Sequence, residues 1–190
     1  LRTLFPYTTL FRSLMITPIL ESKRIILRPL SFNDAEHIFK SWTSDSEVAK
    51  FMIWDIHKSV DDTIEWLKLE VQNIDSEHHY IWGFVLKETG ELFGSGSINF
   101  KKDLDCYELG YNIMRKHWRQ GLTTEAGKVI LDFAINILGE KKFFCRHAVD
   151  NIGSKKVMTK LGFEYNADSS YTSFSGEKHF SSKDYYLNSK

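Results

Sequence analysis

The segment Trp118–Glu140, WRQGLTTEAGKVILDFAINILGE, limits the fold more than any other part of the chain. Ala126, Val129, Ile130, Phe133, Ala134, Ile137 and Leu138 recur at spacings of three and four, the period of a helix with one apolar face. Gly139 supplies its stop. A helix of this kind needs a surface to bury against, and the residues just before it supply one. From about Asp105 to Met114 a strand pattern puts Glu108 and Asn112 on one face and Leu109, Tyr111 and Ile113 on the other. A strand, a short turn holding Gly121 and a long amphipathic helix make a layered α/β unit.

The rest of the chain extends that unit. Residues 19–30 read as an opening strand centred on Ile25, Ile26 and Leu27. Ser31 and Asp34 start a helix whose stripe is Ala35, Ile38, Phe39 and Trp42. A second helix follows Ser59, with Ile64, Leu67 and Val71 at helical spacing. Residues 43–58 lack a period, carry Phe51, Trp54 and His57, and read as a loop over a binding cleft. Two apolar runs, 80–88 and 91–100, meet at Thr89-Gly90, a hairpin signature. Beyond the long helix come a strand over 142–149, a short helix from about Asn151 to Lys160 and a last hairpin turning at Ser175-Gly176. The order β-α-α-β-β-β-α-β-α-β-β predicts one mixed α/β domain around one sheet.

Length agrees, since 190 residues suit one domain with a sizeable core. Twenty-five basic residues balance 25 acidic ones, so no net field draws nucleic acid or an anionic membrane. No apolar run approaches the ~18 residues that span a bilayer. Cys106 and Cys145 stand far apart without a CxxC pairing and read as reduced, buried thiols of a cytoplasmic protein. His78 and His79 are adjacent rather than at ligand spacing, so no metal site is expected. Residues 1–14 stand apart: Thr3–Ser13, TLFPYTTLFRS, reads as translated adapter sequence, and Met15 opens a natural-looking start. The expected domain is therefore 15–190.

Chemistry concentrates in two segments. Arg119-Gln120-Gly121-Leu122-Thr123-Thr124 leads from a strand into the long helix. A helix N-terminus leaves backbone N–H groups unpaired and carries about half a positive charge, which suits a phosphate. Gly121 allows close approach, Thr123 or Thr124 adds a hydroxyl, and Arg115, Lys116, His117 and Arg119 crowd the turn. The run is neither a P-loop nor a dinucleotide fingerprint. The second segment, Asn151 to Phe163 (NIGSKKVMTKLGF), is a side-chain-capped short helix ending in glycine.

Together these segments resemble the GNAT acetyltransferases. Trp118–Ala126 is similar to that family's acetyl-CoA pyrophosphate loop in its Rim branch, the ribosomal-protein alanine N-terminal acetyltransferases. Asn151–Phe163 is similar to the branch's NxxSxxxxxKxGF segment. Glu108-Leu109-Gly110-Tyr111 resembles its fourth strand, and Ile19–Asp34 its first strand and helix. The resemblance spans about residues 16 to 187 and implies a single GNAT-type α/β domain. Its mixed central sheet would splay after the fourth strand, with flanking helices.

The resemblance also implies roles. Arg119, Gln120, Gly121, Leu122, Thr123 and Thr124 form the loop that would hold the CoA pyrophosphate, largely through backbone amides. Ile113 and Met114 would pair with pantetheine, an N–H there stabilising the oxyanion. Asn151 and Ser154 would reach the cofactor from the next helix. Two departures stand out: Thr123 is bulkier than the superfamily's usual glycine or alanine, and Met158 occupies a position where many members carry a tyrosine acid. Ser154 is then the substitute acid and Glu108 the candidate base.

One magnitude bears on the acceptor. At pH 7 roughly 10–20% of a peptide α-amine is neutral, against well under ~0.1% of a lysine amine. An α-amine needs only a weak base. The expected activity is acetyl transfer from acetyl-CoA to a primary amine, foremost a protein N-terminal α-amine. A small amine such as a polyamine, amino acid or aminoglycoside is the alternative acceptor, and a non-catalytic acyl-CoA-binding module the alternative class. No nucleic acid, membrane or metal partner is implied, and the chain is expected to be a monomer or homodimer.

Overall fold

A computed structural model describes residues 17–72 and 78–189, so the expected boundary at Met15 lies outside the described residues. The strands are β1 (Leu20–Glu21), β2 (Ile25–Arg28), β3 (His79–Leu86), β4 (Leu92–Lys101), β5 (Cys106–Ile113), β6 (Lys142–Ala148), β7 (Glu164–Thr172) and β8 (His179–Asn188). They form one sheet in the order β1-β2-β3-β4-β5-β6-β8-β7. Every neighbouring pair is antiparallel except β5 and β6.

The opening segment departs from expectation. Instead of one strand over 19–30, the chain turns at Ser22, whose N–H donates to the Ile25 carbonyl at 2.9 Å. β1 and β2 then pair with each other. The strand expected to be fourth is therefore β5. The first helix is irregular: a 3-10 turn (Phe32–Asp34), α1 (Ala35–Ile38) and a π turn (Phe39–Thr43) follow one another. Its start is pinned because Asp34 accepts from the Ser31 N–H at 2.8 Å and pairs with the Arg28 guanidinium at 2.7 Å. Inside residues 43–58 lies α2 (Ser46–Ala49), capped by the Asp45 carboxylate. The remaining helices are α3 (Val60–Gln72), α4 (Leu122–Asn136) and α5 (Ile152–Lys160).

The sheet has a core on each face. On one, α4 presses Ala126, Ile130 and Phe133 onto Trp82, Ile98 and Leu109, all buried. Phe133 meets both Tyr80 and Trp82 edge-on, with ring centroids 5.3 and 5.7 Å apart. On the other, Ile38, Trp42 and Leu67 cover Leu30, Ile81 and Leu92. Full burial of each such side chain stabilises the fold by roughly 1.5–3 kcal/mol. Cys106 and Cys145 are free and buried. Among the described residues no helix is long and apolar enough to cross a membrane.

Candidate active site

The one parallel contact in the sheet sets the geometry of the site. β5 and β6 pair only at Tyr107–Phe143 and Glu108–Phe144. Beyond Glu108 the strands separate: the Leu109 carbonyl still accepts from the Cys145 thiol of β6 at 3.3 Å, and the edge of β5 from Gly110 to Ile113 faces a gap. The β4–β5 register decides which backbone groups point there. Met114 N–H donates to the Phe93 carbonyl at 2.8 Å, so Phe93 and Met114 form a hydrogen-bonded pair. Gly94 and Ile113, next in register, are then a non-hydrogen-bonded pair, and the Ile113 N–H is directed away from β4. Of the two residues expected to meet pantetheine, Ile113 presents its N–H to the gap, while the N–H of Met114 is already committed. The Ile113 carbonyl accepts from the Trp118 indole at 3.0 Å.

Gly94 permits this close approach. A Cβ there would lie 2.4 Å from the Asn112 carbonyl oxygen and 2.9 Å from the Ile113 Cα, so any side chain would force β4 and β5 apart.

The phosphate loop lies at one end of the gap. Gly121, at φ +77°, and Arg119, at φ +63°, both adopt the left-handed conformation. Alternation of this kind turns successive N–H groups to one side and makes an anion-binding concavity. α4 follows directly, and no side chain caps its N-terminus. Its first internal bond runs from Glu125 N–H to the Gly121 carbonyl. The N–H groups of Leu122, Thr123 and Thr124 therefore have no partner within the helix. Arg24 adds a cation that sequence reading missed. Its guanidinium donates to the Gln120 carbonyl at 3.1 Å, pairs with Glu125 at 2.6 Å and stands 3.7 Å from where a Gly121 Cβ would be. Burial pushes the Glu125 carboxyl up, but hydrogen bonds from Ser22 and Arg24 outweigh it and hold the group below its ordinary value.

A cleft of about 670 Å³ runs from this loop along the open edge of β5. Arg119 and Thr123 line one end, Tyr111, Asn112 and Ile113 the floor, and Asn151 and Ser154 the wall on α5. Glu47, Val48, Lys50, Phe51 and Met52, in the segment read as a loop over a cleft, line it as well. The Leu122 side chain is in the core and the Gln120 side chain turns back to the Lys116 carbonyl at 2.9 Å, so only their backbone groups are available to the loop. Asn151 caps α5 by accepting from the Ser154 N–H at 3.0 Å. The Ser154 hydroxyl meets the Tyr111 hydroxyl at 2.9 Å and lies 3.7 Å from the Met158 sulfur.

Glu108 does not line this cleft. It pairs with Lys101 at 2.9 Å, and Asn112 is four residues further along the strand, about 13 Å at 3.3–3.4 Å per residue. Between them runs a row of polar residues on the same sheet face. Ser95, Ser97 and Asn99 of β4 stand opposite Asn112, Gly110 and Glu108. Asn112 donates to Ser95 at 2.9 Å and Asn99 to Ser97 at 3.2 Å. Trp54 and His57, read as cleft residues, lie instead with Trp42, Thr43 and Trp66 in a small niche beside Asn112.

An open-ended helix behind a left-handed glycine, meeting a broken parallel ladder in one cleft, is a distinctive arrangement. A family model described as an acetyltransferase (GNAT) domain matches residues 24–164, most of the chain. The chain belongs to the GNAT acetyltransferase family. It is an N-acetyltransferase, and acetyl-CoA is the co-substrate of enzymes of this kind. Among curated relatives, the uncharacterized N-acetyltransferase YoaA of Bacillus subtilis is 28% identical over 148 residues, 77% of this chain and 83% of that protein. The fold is similar to that of RimL, a ribosomal L7/L12 alpha-N-protein acetyltransferase solved with coenzyme A. That match has a TM-score of 0.79 at 13% identity and covers 90% of this chain and 98% of that one. It is also similar to the microcin C7 self-immunity acetyltransferase MccE, solved with acetyl-CoA and AMP. Here the TM-score is 0.78 at 17% identity, with 93% of this chain and 98% of that one covered.

Proposed function

We propose that this GNAT enzyme transfers acetyl from acetyl-CoA to a protein N-terminal α-amine, with no covalent enzyme intermediate. The observation that carries the cofactor half is the cleft itself. It joins an uncapped helix N-terminus to a strand edge that has lost its parallel partner. The pyrophosphate would lie on the N–H groups of Gly121 to Thr124, with Arg119 and Arg24 countering its charge. Pantetheine would extend β5 along the edge that β6 vacates, at Tyr111 and Ile113. The Ile113 N–H would then face the thioester carbonyl and stabilise the oxyanion that develops as the amine attacks. RimL and MccE, which share a similar fold, were solved with CoA and acetyl-CoA respectively, and this supports the placement.

Proton chemistry favours the α-amine. Asn112, Tyr111 and Ser154 line the cleft together with two carboxylates, Glu47 on α2 and Asp150 just before α5, while Glu108 of β5 does not line it. A lysine amine, with a pKa near 10.4, would demand a strong base there, whereas an α-amine near 7.7–8.0 would not. Glu108 would act only as a remote acceptor, reached through the row of Ser95, Ser97 and Asn99. Orientation of the two substrates then supplies the larger share of the rate.

Calorimetry with acetyl-CoA tests the cofactor site. Wild type should bind with micromolar affinity or better. Gly121→Ala adds a Cβ in a left-handed conformation, and Gly121→Glu adds a carboxylate at the anion site as well. Gly121→Glu should bind at least about tenfold more weakly than Gly121→Ala. Equal affinities for wild type and Gly121→Glu would refute the assignment.

A further inference from the structure

Tyr111 stands on the separated end of β5, and its hydroxyl crosses the gap to α5. There it meets the Ser154 hydroxyl at 2.9 Å and donates to the Ser154 carbonyl at 3.2 Å. Both residues line the cleft. These bonds are the described side-chain link between the open edge of β5 and the start of α5, where the thiol end of pantetheine would run on the reading above.

We infer that Tyr111 is a positioning residue that acts through Ser154 to stabilise the departing thiolate. Two proton arrangements satisfy the pair. In one, Tyr111 donates to the Ser154 carbonyl and the serine hydroxyl donates to the tyrosine oxygen, so both protons stay inside the pair. In the other, Tyr111 donates to the serine oxygen and the serine proton rests on the Met158 sulfur at 3.7 Å, a weak acceptor that a charged one in the cleft outcompetes. A negative charge on sulfur favours the second. When the tetrahedral intermediate collapses, the C–S bond breaks and its electron pair stays on sulfur. The Ser154 O–H then donates to the thiolate while Tyr111 O–H fills the serine's acceptor position.

No proton is transferred in this step, and magnitudes show why. Burial raises the Tyr111 phenol well above its ordinary value. A CoA thiol, like a cysteine, titrates near 8.5, so the phenol cannot protonate it favourably. The tyrosine is a fixed donor, and a hydrogen bond to a charged acceptor is roughly twice as strong as a neutral one.

The inference rests on the cofactor placement proposed above, and the test separates the two. The thiol of CoA bound to the enzyme can be titrated by thiolate absorbance. Wild type should hold it below about 8.5, and Ser154→Ala should raise it by about one unit. Tyr111→Phe, which keeps the ring, should raise it by a similar amount, and the double variant should go no higher than Ser154→Ala. In turnover, Tyr111→Phe should lower kcat about tenfold at little cost in KM for acetyl-CoA. An unchanged thiol pKa in Tyr111→Phe, or additive shifts in the double variant, would overturn the inference while leaving the cofactor site intact. Should Tyr111→Phe fail to fold, Ser154→Ala alone decides, because an unchanged thiol pKa there removes the group through which Tyr111 acts. Failure of wild type to bind CoA overturns the cofactor reading and this inference with it.

Discussion

Gly121, Gly94 and Glu108 bear on the proposed site at the residue scale. Gly121 was legible in the sequence because a glycine between a strand and a strongly periodic helix has few other uses. Gly94 was not legible, because the reason for it is a strand that arrives later in the chain and passes within 2.4 Å of its missing side chain. Gly94→Val should therefore cost both stability and turnover, since it pushes Ile113 away from β4. Its melting temperature and kcat should fall together, and a variant with wild-type kcat would show that the Ile113 N–H needs no such precision. Glu108 illustrates the limit of motif reading. The pattern marks the carboxylate, but not that Lys101 holds it four residues along β5 from Asn112, which lines the cleft. Glu108→Gln should leave acetyl-CoA binding intact and lower kcat less than tenfold at pH 7, below the usual gain from direct acid–base help. The loss should shrink as pH rises, because more of the amine is then already neutral. A hundredfold loss would mean that Glu108 takes the proton at close range.

Among the elements, the last hairpin matters more than its bland composition suggests. Lys178 donates to the carbonyls of Ala49, Met52 and Trp54 at 3.4, 3.3 and 3.0 Å and approaches Asp55 at 3.4 Å. Tyr171 donates to the Phe51 carbonyl at 2.7 Å, and Phe174 N–H to that of Ile53 at the same distance. Burial pushes the Tyr171 phenol up to about 12, so it remains a donor throughout the working range. These bonds hold the cleft wall formed by Lys50, Phe51 and Met52, where we propose that the amine acceptor enters. Lys178→Met should therefore raise KM for the amine several-fold while KM for acetyl-CoA stays within twofold. Equal damage to both would show that the hairpin supports the whole cleft rather than one end. Sequence reading found the hairpin and the loop separately. It missed their joint because one lysine among polar residues carries no periodic signal. The turn at Ser22–Arg24 was missed for the related reason that its partner, Glu125, is about 100 residues away.

The whole molecule answers to pH through groups with displaced pKa values. Burial lowers His57 and His147 below the ordinary imidazole value. The unfolded chain therefore binds protons near pH 6.5 that the folded chain refuses, and stability falls as pH drops below about 6.5. Burial pushes the Asp34 and Glu125 carboxyls up, but hydrogen bonds from Arg28 and Arg24 among others outweigh it and hold both below their ordinary values. Their contribution is present above about pH 4 and is lost as pH falls through their folded values. Melting temperature should thus decline in two stages on acidification. A rise between pH 7 and pH 5 would contradict this. We also propose that residues 1–14 lie outside the working domain. The described chain is already engaged just after them, with Thr17 buried and the Pro18 carbonyl accepting from the Trp82 indole at 2.7 Å. A chain starting at Met15 should match the full one in melting temperature and turnover.

The broad fold was legible because it rests on local periodicity and on a glycine-fronted helix. The cleft's finer chemistry was not, because it depends on where two strands stop pairing. Release of CoA thiol from acetyl-CoA in the presence of two peptides tests the central claim most directly. One peptide has a free α-amine and no lysine; the other has the same sequence with a blocked N-terminus and an internal lysine. At pH 7 the first should release thiol in proportion to enzyme, and the second should fall at least about a hundredfold behind, in line with the fraction of neutral amine. Equal rates, a preference for the lysine peptide or no release with either would contradict the account.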